Sequence, residues 1–412
     1  MKELPYDIVF QIVQELKLLH DPPGMEHHTP WARSILYPMK FAPYATLNRA
    51  WNIATERESF QDLIVYSDDI PEHLRGPLTT TRFKQMMSRD PARRRAIPRD
   101  IIFCASIQSP LDSEEASTEE GRNANDCMFS ASVRQFWEVL EEWPPVPDHR
   151  CLKLELRHIV ISPEKLVETT DDDDGKAVKK RRRDEMYLNL PGGPLPRLRC
   201  ISYFGLSDSI RSNLPRLWPP ALLNILNSFQ GLRNAFLNFL DIAVTEQRLW
   251  TDYREGADQQ SLTPAFARMN MLMPLVNLIL ELSSAISVLP NTIVNLVANF
   301  NYISRGYSNW PSYTSLPYDP LSISLRDIST RLVFLTLMDI RITPALFWPG
   351  KNEPASTPQP YWPHLLSFSL WFAPLDPCGK SIYSSIILTN ATHPRRNEQS
   401  FLALCIFNLG EY

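Results

Sequence analysis

Two spacings of apolar residues alternate along this chain, one of helical period and one of strand period. At the start, Leu4, Ile8, Ile12 and Leu16 recur in steps of four, which places them on one side of a helix. Pro5 suits the first turn, where a missing N–H costs nothing. Val9 and Val13 widen the stripe beyond what a single internal contact requires. A helix with two apolar sides implies a recognition element, one side for its own domain and one for a partner. From residue 60 onward a different phrase recurs: an apolar residue, two variable positions, an apolar residue, one variable position, an apolar residue. The clearest copies are Leu232-Ala235-Leu237, Ile293-Leu296-Ala298, Leu332-Leu335-Leu337 and Leu365-Phe368-Leu370. Leu198-Ile201-Tyr203 also fits, and weaker copies stand at Phe60-Leu63-Val65, Pro98-Ile101-Phe103 and Cys151-Leu154-Leu156. The last two apolar positions of each phrase alternate as in a short strand.

Helical patterns lie between the copies, over Ser132–Trp143 and Leu321–Leu332. The expected fold is therefore mixed α/β: a small N-terminal helical module followed by an irregular solenoid of strand–helix units, each burying its apolar face against the next. Spacings between copies run from 33 to 61 residues, whereas regular leucine-rich repeats take about 20–29. The units read as degenerate repeats with long insertions. The alternative is a non-repetitive α/β domain.

The N-terminal pattern carries a resemblance. Leu4, Pro5, Asp7, Ile8, Ile12 and Leu16, followed by Leu47-Asn48-Arg49-Ala50-Trp51, resemble the F-box. Asn48 departs from the usual Ser or Cys, and Phe60 stands where Trp is frequent. A Pro-rich stretch from His20 to Met39 separates the first helix from the second. Such an insertion, with Ala42-Pro43-Tyr44-Ala45-Thr46 ahead of the Arg-x-Trp, is similar to fungal F-box proteins with a leucine-rich-repeat-like C-terminal region. The resemblance implies a three-helix F-box over residues 1–63 and a substrate-binding region over 64–378, with an atypical tail over 379–412. It further implies a substrate receptor of an SCF-type cullin ubiquitin ligase acting in ubiquitin-dependent degradation. Leu4, Pro5, Ile8, Ile12 and Leu16 would fill an apolar groove of a Skp-type adaptor, and through it reach a cullin. The solenoid would present its concave face to a substrate protein. Trp51 is expected to pack between the second and third helices. The competing expectation is a non-catalytic scaffold that does not assemble a ligase.

Composition narrows the classes. Across 412 residues the hydrophobic share is 44% and the net charge −4, which favours neither a nucleic-acid binder nor a polyanion. Gly is scarce at 13 and Pro abundant at 36, so Gly-rich phosphate loops are not expected. Six cysteines show no metal-type spacing, and buried reduced thiols are expected. No catalytic motif, cofactor motif or metal cluster emerges, so the expectation is a non-enzyme with no cofactor. His27-His28 lies in the Pro-rich insertion and reads as solvated. No secretory pattern opens the chain, which points to a cytoplasmic or nuclear protein.

Three segments need separate treatment. Residues 112–126 and 168–185 are polar and charged, and both are expected to be disordered loops. Lys179 to Arg183 form a basic run of nuclear-import type. Residues 269–289 are long and apolar enough to reach across a bilayer. Pro274 and Glu281 argue for a core helix instead, with Leu275, Ile279, Leu282 and Ile286 inward. Deleting 171–183 should leave the melting midpoint nearly unchanged, because closure entropy depends only logarithmically on loop length. Differential scanning calorimetry of the deletion variant checks this, and a large drop would mean that these charges are paired within the fold.

Overall fold

The computed structural model describes residues 4–20, 42–109, 119–145, 150–161, 188–206, 217–238, 282–299, 320–338, 346, 362–372, 384–389 and 403–408. The chain is mixed α/β, and its backbone is one ten-stranded sheet in which spatial order equals chain order. Strands β1 (Asp62–Tyr66), β2 (Asp100–Ile107), β3 (Lys153–Val160), β4 (Tyr203–Gly205), β5 (Asn234–Asn238), β6 (Asn295–Asn299), β7 (Phe334–Met338) and β8 (Ser367–Phe372) are all parallel to one another. Seven of these eight strands coincide with a copy of the repeated phrase as read, because its alternating apolar positions mark the side of the strand that faces the core.

Register makes the repeat physical. Leu63, Ile101, Leu154, Phe204, Ala235, Leu296, Leu335 and Phe368 stand abreast across eight strands. All eight are buried in one continuous core. Two residues further on, Val65, Phe103, Leu156, Leu206, Leu237, Ala298 and Leu337 are buried on the same side. At β4 the register corrects the sequence expectation. The copy is Ile201-Phe204-Leu206, not Leu198-Ile201-Tyr203: Ile201, Phe204 and Leu206 are buried, while Tyr203 lies half-buried on the opposite face. At β3, Cys151 is exposed and its neighbour Leu152 is buried in its stead.

Helices cover the apolar side. These are α4 (Thr80–Ser88), α6 (Glu119–Glu141), α7 (Pro219–Ser228) and α8 (Pro320–Ser329), preceded by α1 (Tyr6–His20), α2 (Ala42–Ala45) and α3 (Arg49–Ser59), with the single turn α5 (Pro91–Arg94) between α4 and β2. Phe136 of α6 stacks on Phe103 of β2, with centroids 4.2 Å apart and rings nearly parallel. Serines link the helices. Trp137 donates its indole N–H to Ser228 at the end of α7 (2.8 Å), and Trp362 donates to Ser329 at the end of α8 (2.6 Å). Buried indole N–H groups need such a partner. Trp362 also packs against the main core.

Several expectations change. The helix expected over Ser132–Trp143 begins at Glu119, so half of the 112–126 segment is ordered helix. Its polar residues are used. Buried Asn125 accepts from the Ser109 N–H at 2.9 Å and donates to the Ser109 carbonyl at 3.1 Å, and Asp126 accepts from the Asn189 N–H at 2.8 Å. Low hydrophobicity here reflects backbone satisfaction rather than disorder. β1 begins at Asp62, so the expected module boundary at 63 falls inside a strand whose Leu63 belongs to the main core. The expected atypical tail adds β9 (Ser384–Thr389), antiparallel to β8, and β10 (Ala403–Asn408), antiparallel to β9, which extend the sheet. Of the described cysteines, Cys104 and Cys200 are buried, their thiols pushed up to about 12 by desolvation, while Cys127 and Cys151 are exposed. Residues 168–185 and 269–281 lie outside the described residues. The remainder of the apolar segment is a helix over 282–287 with Leu282 and Ile286 buried. Among the described residues no helix is long and apolar enough to cross a membrane.

The register at β4 is testable by contrast. Phe204→Ala should cost about 3–5 kcal/mol, the range for a buried ring. Tyr203→Ala, on the opposite face, should cost about 1 kcal/mol. Urea unfolding of both variants measures the difference; equal costs would refute this register.

Candidate functional site

Two surfaces stand out, and the first is the N-terminal module. Val9 and Val13 of α1 are fully buried against Ala54 of α3, with Tyr6, Phe10, Leu16, Tyr44, Ala50 and Trp51 packed around them. The opposite side of α1 is bare. Leu4 is 49% exposed and Ile8 44% exposed, Pro5 is exposed, and Ile12 is half-buried. Leu47, between α2 and α3, is 60% exposed. Half of the large exposed hydrophobics among the described residues therefore sit on this one small module. Of the five positions expected to contact a partner, Leu4, Pro5, Ile8 and Ile12 keep surface available. Leu16 joins the internal cluster. Each step of four overshoots a full turn by about 40°, so Leu16 has rotated toward the line of Val9.

Local chemistry fixes the module. Asn48, which departs from the usual residue of the resembled motif, is the N-cap of α3: its Oδ1 accepts the Trp51 N–H at 3.1 Å. Trp51 stacks on Tyr44 with centroids 5.9 Å apart, so it does bridge α2 and α3, but it is half-buried rather than enclosed. The guanidinium of Arg57 lies over the Phe10 ring at 4.2 Å and ties α3 to α1. The module is anchored to the sheet by Glu56 of α3, which forms ion pairs with both Arg93 and Arg94 of α5. Phe60 packs on the main core with the Arg94 guanidinium over its ring.

The second surface is the face of the sheet away from the main core. At β1–β3 it is closed by a separate cluster of Tyr66, Ile70, Ile102 and Cys104, with the turn Glu72–Leu74 contributing Leu74. Further along it changes character. β2 and β3 present half-buried Asp100 and Lys153, 3.6 Å apart, while Arg157 and Glu155, hydrogen-bonded to each other, are buried. β5 and β6 present Asn234 and Asn295, joined amide to amide. β7 presents Phe334, 46% exposed. Charged, amide and apolar groups thus follow one another along one face, with side chains that a binding partner could read. Among the described residues no group of three or more His, Cys, Asp or Glu is placed to hold a metal ion. No family model, curated protein or solved structure matches the chain.

Loss of the cap should be measurable. Asn48→Ala should destabilise the module by about 1 kcal/mol. Trp51→Ala, being half-buried, should cost less than the roughly 3–5 kcal/mol of an enclosed ring. Limited proteolysis of residues 1–65 reports both; a Trp51→Ala loss as large as that of a core aromatic would contradict the half-buried placement.

Proposed function

We propose that the chain is the substrate-recognition subunit of an SCF-type ubiquitin ligase, a non-catalytic adaptor. Its N-terminal three-helix module acts as an F-box that seats a Skp-type adaptor, and the adaptor brings a cullin. Its sheet and helices act as a leucine-rich-repeat-like solenoid, and the face bearing Asp100, Lys153, Asn234, Asn295 and Phe334 receives a substrate protein. The observation that carries this reading is the division of labour on α1. One side is consumed by Val9 and Val13, while Leu4, Pro5 and Ile8 face outward although burial would stabilise them. Exposed Leu4 at the entry to α1 and exposed Ile8 in its first turn offer the kind of apolar surface that a helix-in-groove contact uses. The resemblance of Leu4-Pro5 and of Leu47 to Trp51 supplies the identity of the groove.

A scaffold that uses the sheet face alone is the second reading, supported by the graded chemistry of that face, which needs no adaptor. The two separate on one experiment. Co-expressed with a Skp-type adaptor, the full chain should elute as a complex in gel filtration. Each apolar anchor of an interface is worth about 2 kcal/mol or more, so Leu4→Ala with Ile8→Ala should weaken that complex about a thousandfold. The melting temperature should stay within a few degrees, since both side chains are exposed. Undiminished binding by the double variant would refute the groove assignment, and absence of any complex with the unmodified chain would favour the scaffold.

A further inference from the structure

A pocket of about 230 Å³ lies where the N-terminal module meets the sheet, lined by four arginines, Arg57, Arg93, Arg99 and Arg150, with Gln61 and Ile97. Its lining contains no acidic residue. The four cations reach it from separate places: Arg57 from α3, Arg93 from α5, Arg99 from the residue before β2 and Arg150 from the segment before β3. The sheet itself gathers the last two, because the Arg99 N–H donates to the Gln61 carbonyl at 2.8 Å and the Lys153 N–H donates to the Arg99 carbonyl at 2.7 Å.

Charge compensation is incomplete. Arg93 is paired with Glu56 and Asp90, yet its Nη1 is buried without an acceptor among the described residues. Arg150 donates to the Ala96 carbonyl, and Arg57 rests over a ring; neither has a carboxylate partner among the described residues, nor does Arg99. A pocket lined by four arginines and no carboxylate carries a positive field, and an anion with several oxygens offsets it. Planar guanidinium forks match phosphate oxygens bidentately. The cavity is smaller than the roughly 300–1,000 Å³ of typical pockets for drug-sized ligands, which suits a compact anion rather than a strand of nucleic acid.

We propose that this arginine-lined pocket is a binding site for a compact phosphate-bearing group. The site stands independently of the adaptor reading, since none of its residues lies on the exposed side of α1. Two sources share the chemistry, a free phosphorylated small molecule and a phosphorylated side chain of a partner. The test is isothermal titration calorimetry on the full chain with inorganic pyrophosphate, with a phosphoserine peptide and its unphosphorylated counterpart, and with an oligonucleotide. Pyrophosphate should bind, and Arg99→Ala should weaken it about tenfold, the value of one charge-assisted contact. Arg99→Ala/Arg150→Ala should weaken it further, while Arg99→Lys should retain part of the affinity. Arg99 is exposed, so the melting temperature of Arg99→Ala should match the unmodified chain and separate lost binding from lost folding. Binding of pyrophosphate alone assigns a free ligand. Binding of the phosphopeptide, but not its unphosphorylated form, assigns a partner's side chain; either result supports the site. No binding of either phosphate probe, equal binding by Arg99→Ala, or binding of the oligonucleotide in their place would overturn it.

Discussion

The structure depends on one row of apolar side chains crossing the sheet from Leu63 to Phe368. Parallel neighbours cannot be joined by a tight turn, so each strand must be reached by a crossover that leaves the sheet and returns. What brings the chain back to the same register each time is burial. A slip of one residue would turn Leu335 outward and Phe334 inward, and would do the same to every alternate position of the strand. This explains why the segments between strands vary so widely in length while the register is kept. Loop closure costs little extra per added residue, whereas a misplaced apolar pair costs the whole strand its core contact.

Polar groups decide how the pieces are joined. Where helices end on the covered side, Ser228 and Ser329 accept indole N–H groups from Trp137 and Trp362. Where α6 begins, Asn125 closes on both backbone groups of Ser109. Where the helical module meets the sheet, Glu56 holds Arg93 and Arg94. That junction has a functional consequence. The exposed side of α1 is carried by a module whose last helix is tied to the first strands by an ion-pair cluster and by Phe60. A partner seated on Leu4 and Ile8 would therefore stand at a fixed position relative to the sheet face. The arginine pocket sits in the same junction, and an anion bound there would add to its cohesion.

Much of this architecture was legible in the sequence because it rests on local period. Seven of the eight parallel strands follow from the paired apolar positions as read, since a strand with one side in the core alternates wherever it lies in the chain. The two-sided character of α1 follows from Val9 and Val13 beside Leu4 and Ile8. Periodicity alone could not say which of these sides is used internally. Nor could it show that Leu16 belongs with the valines, because helical drift only matters once α3 defines where inside is.

Other features exist only through distant contacts. Phe204 rather than Tyr203 enters the row because Leu154 and Ala235 stand on either side of it. Residues 119–126 are helical because their amide and carboxylate groups satisfy backbone from residues 109 and 189. Strand β9 pairs antiparallel on β8, and β10 antiparallel on β9, by backbone hydrogen bonding, which side-chain patterning does not encode. The four arginines of the pocket are spread over residues 57 to 150 and become neighbours only through strand pairing together with the ion pair of Arg93 with Glu56. Sequence determined which residues must be buried together, because hydrophobic period is a property of the local chain. Tertiary structure decided register, helix extent and charge juxtaposition, because these depend on which distant group arrives opposite.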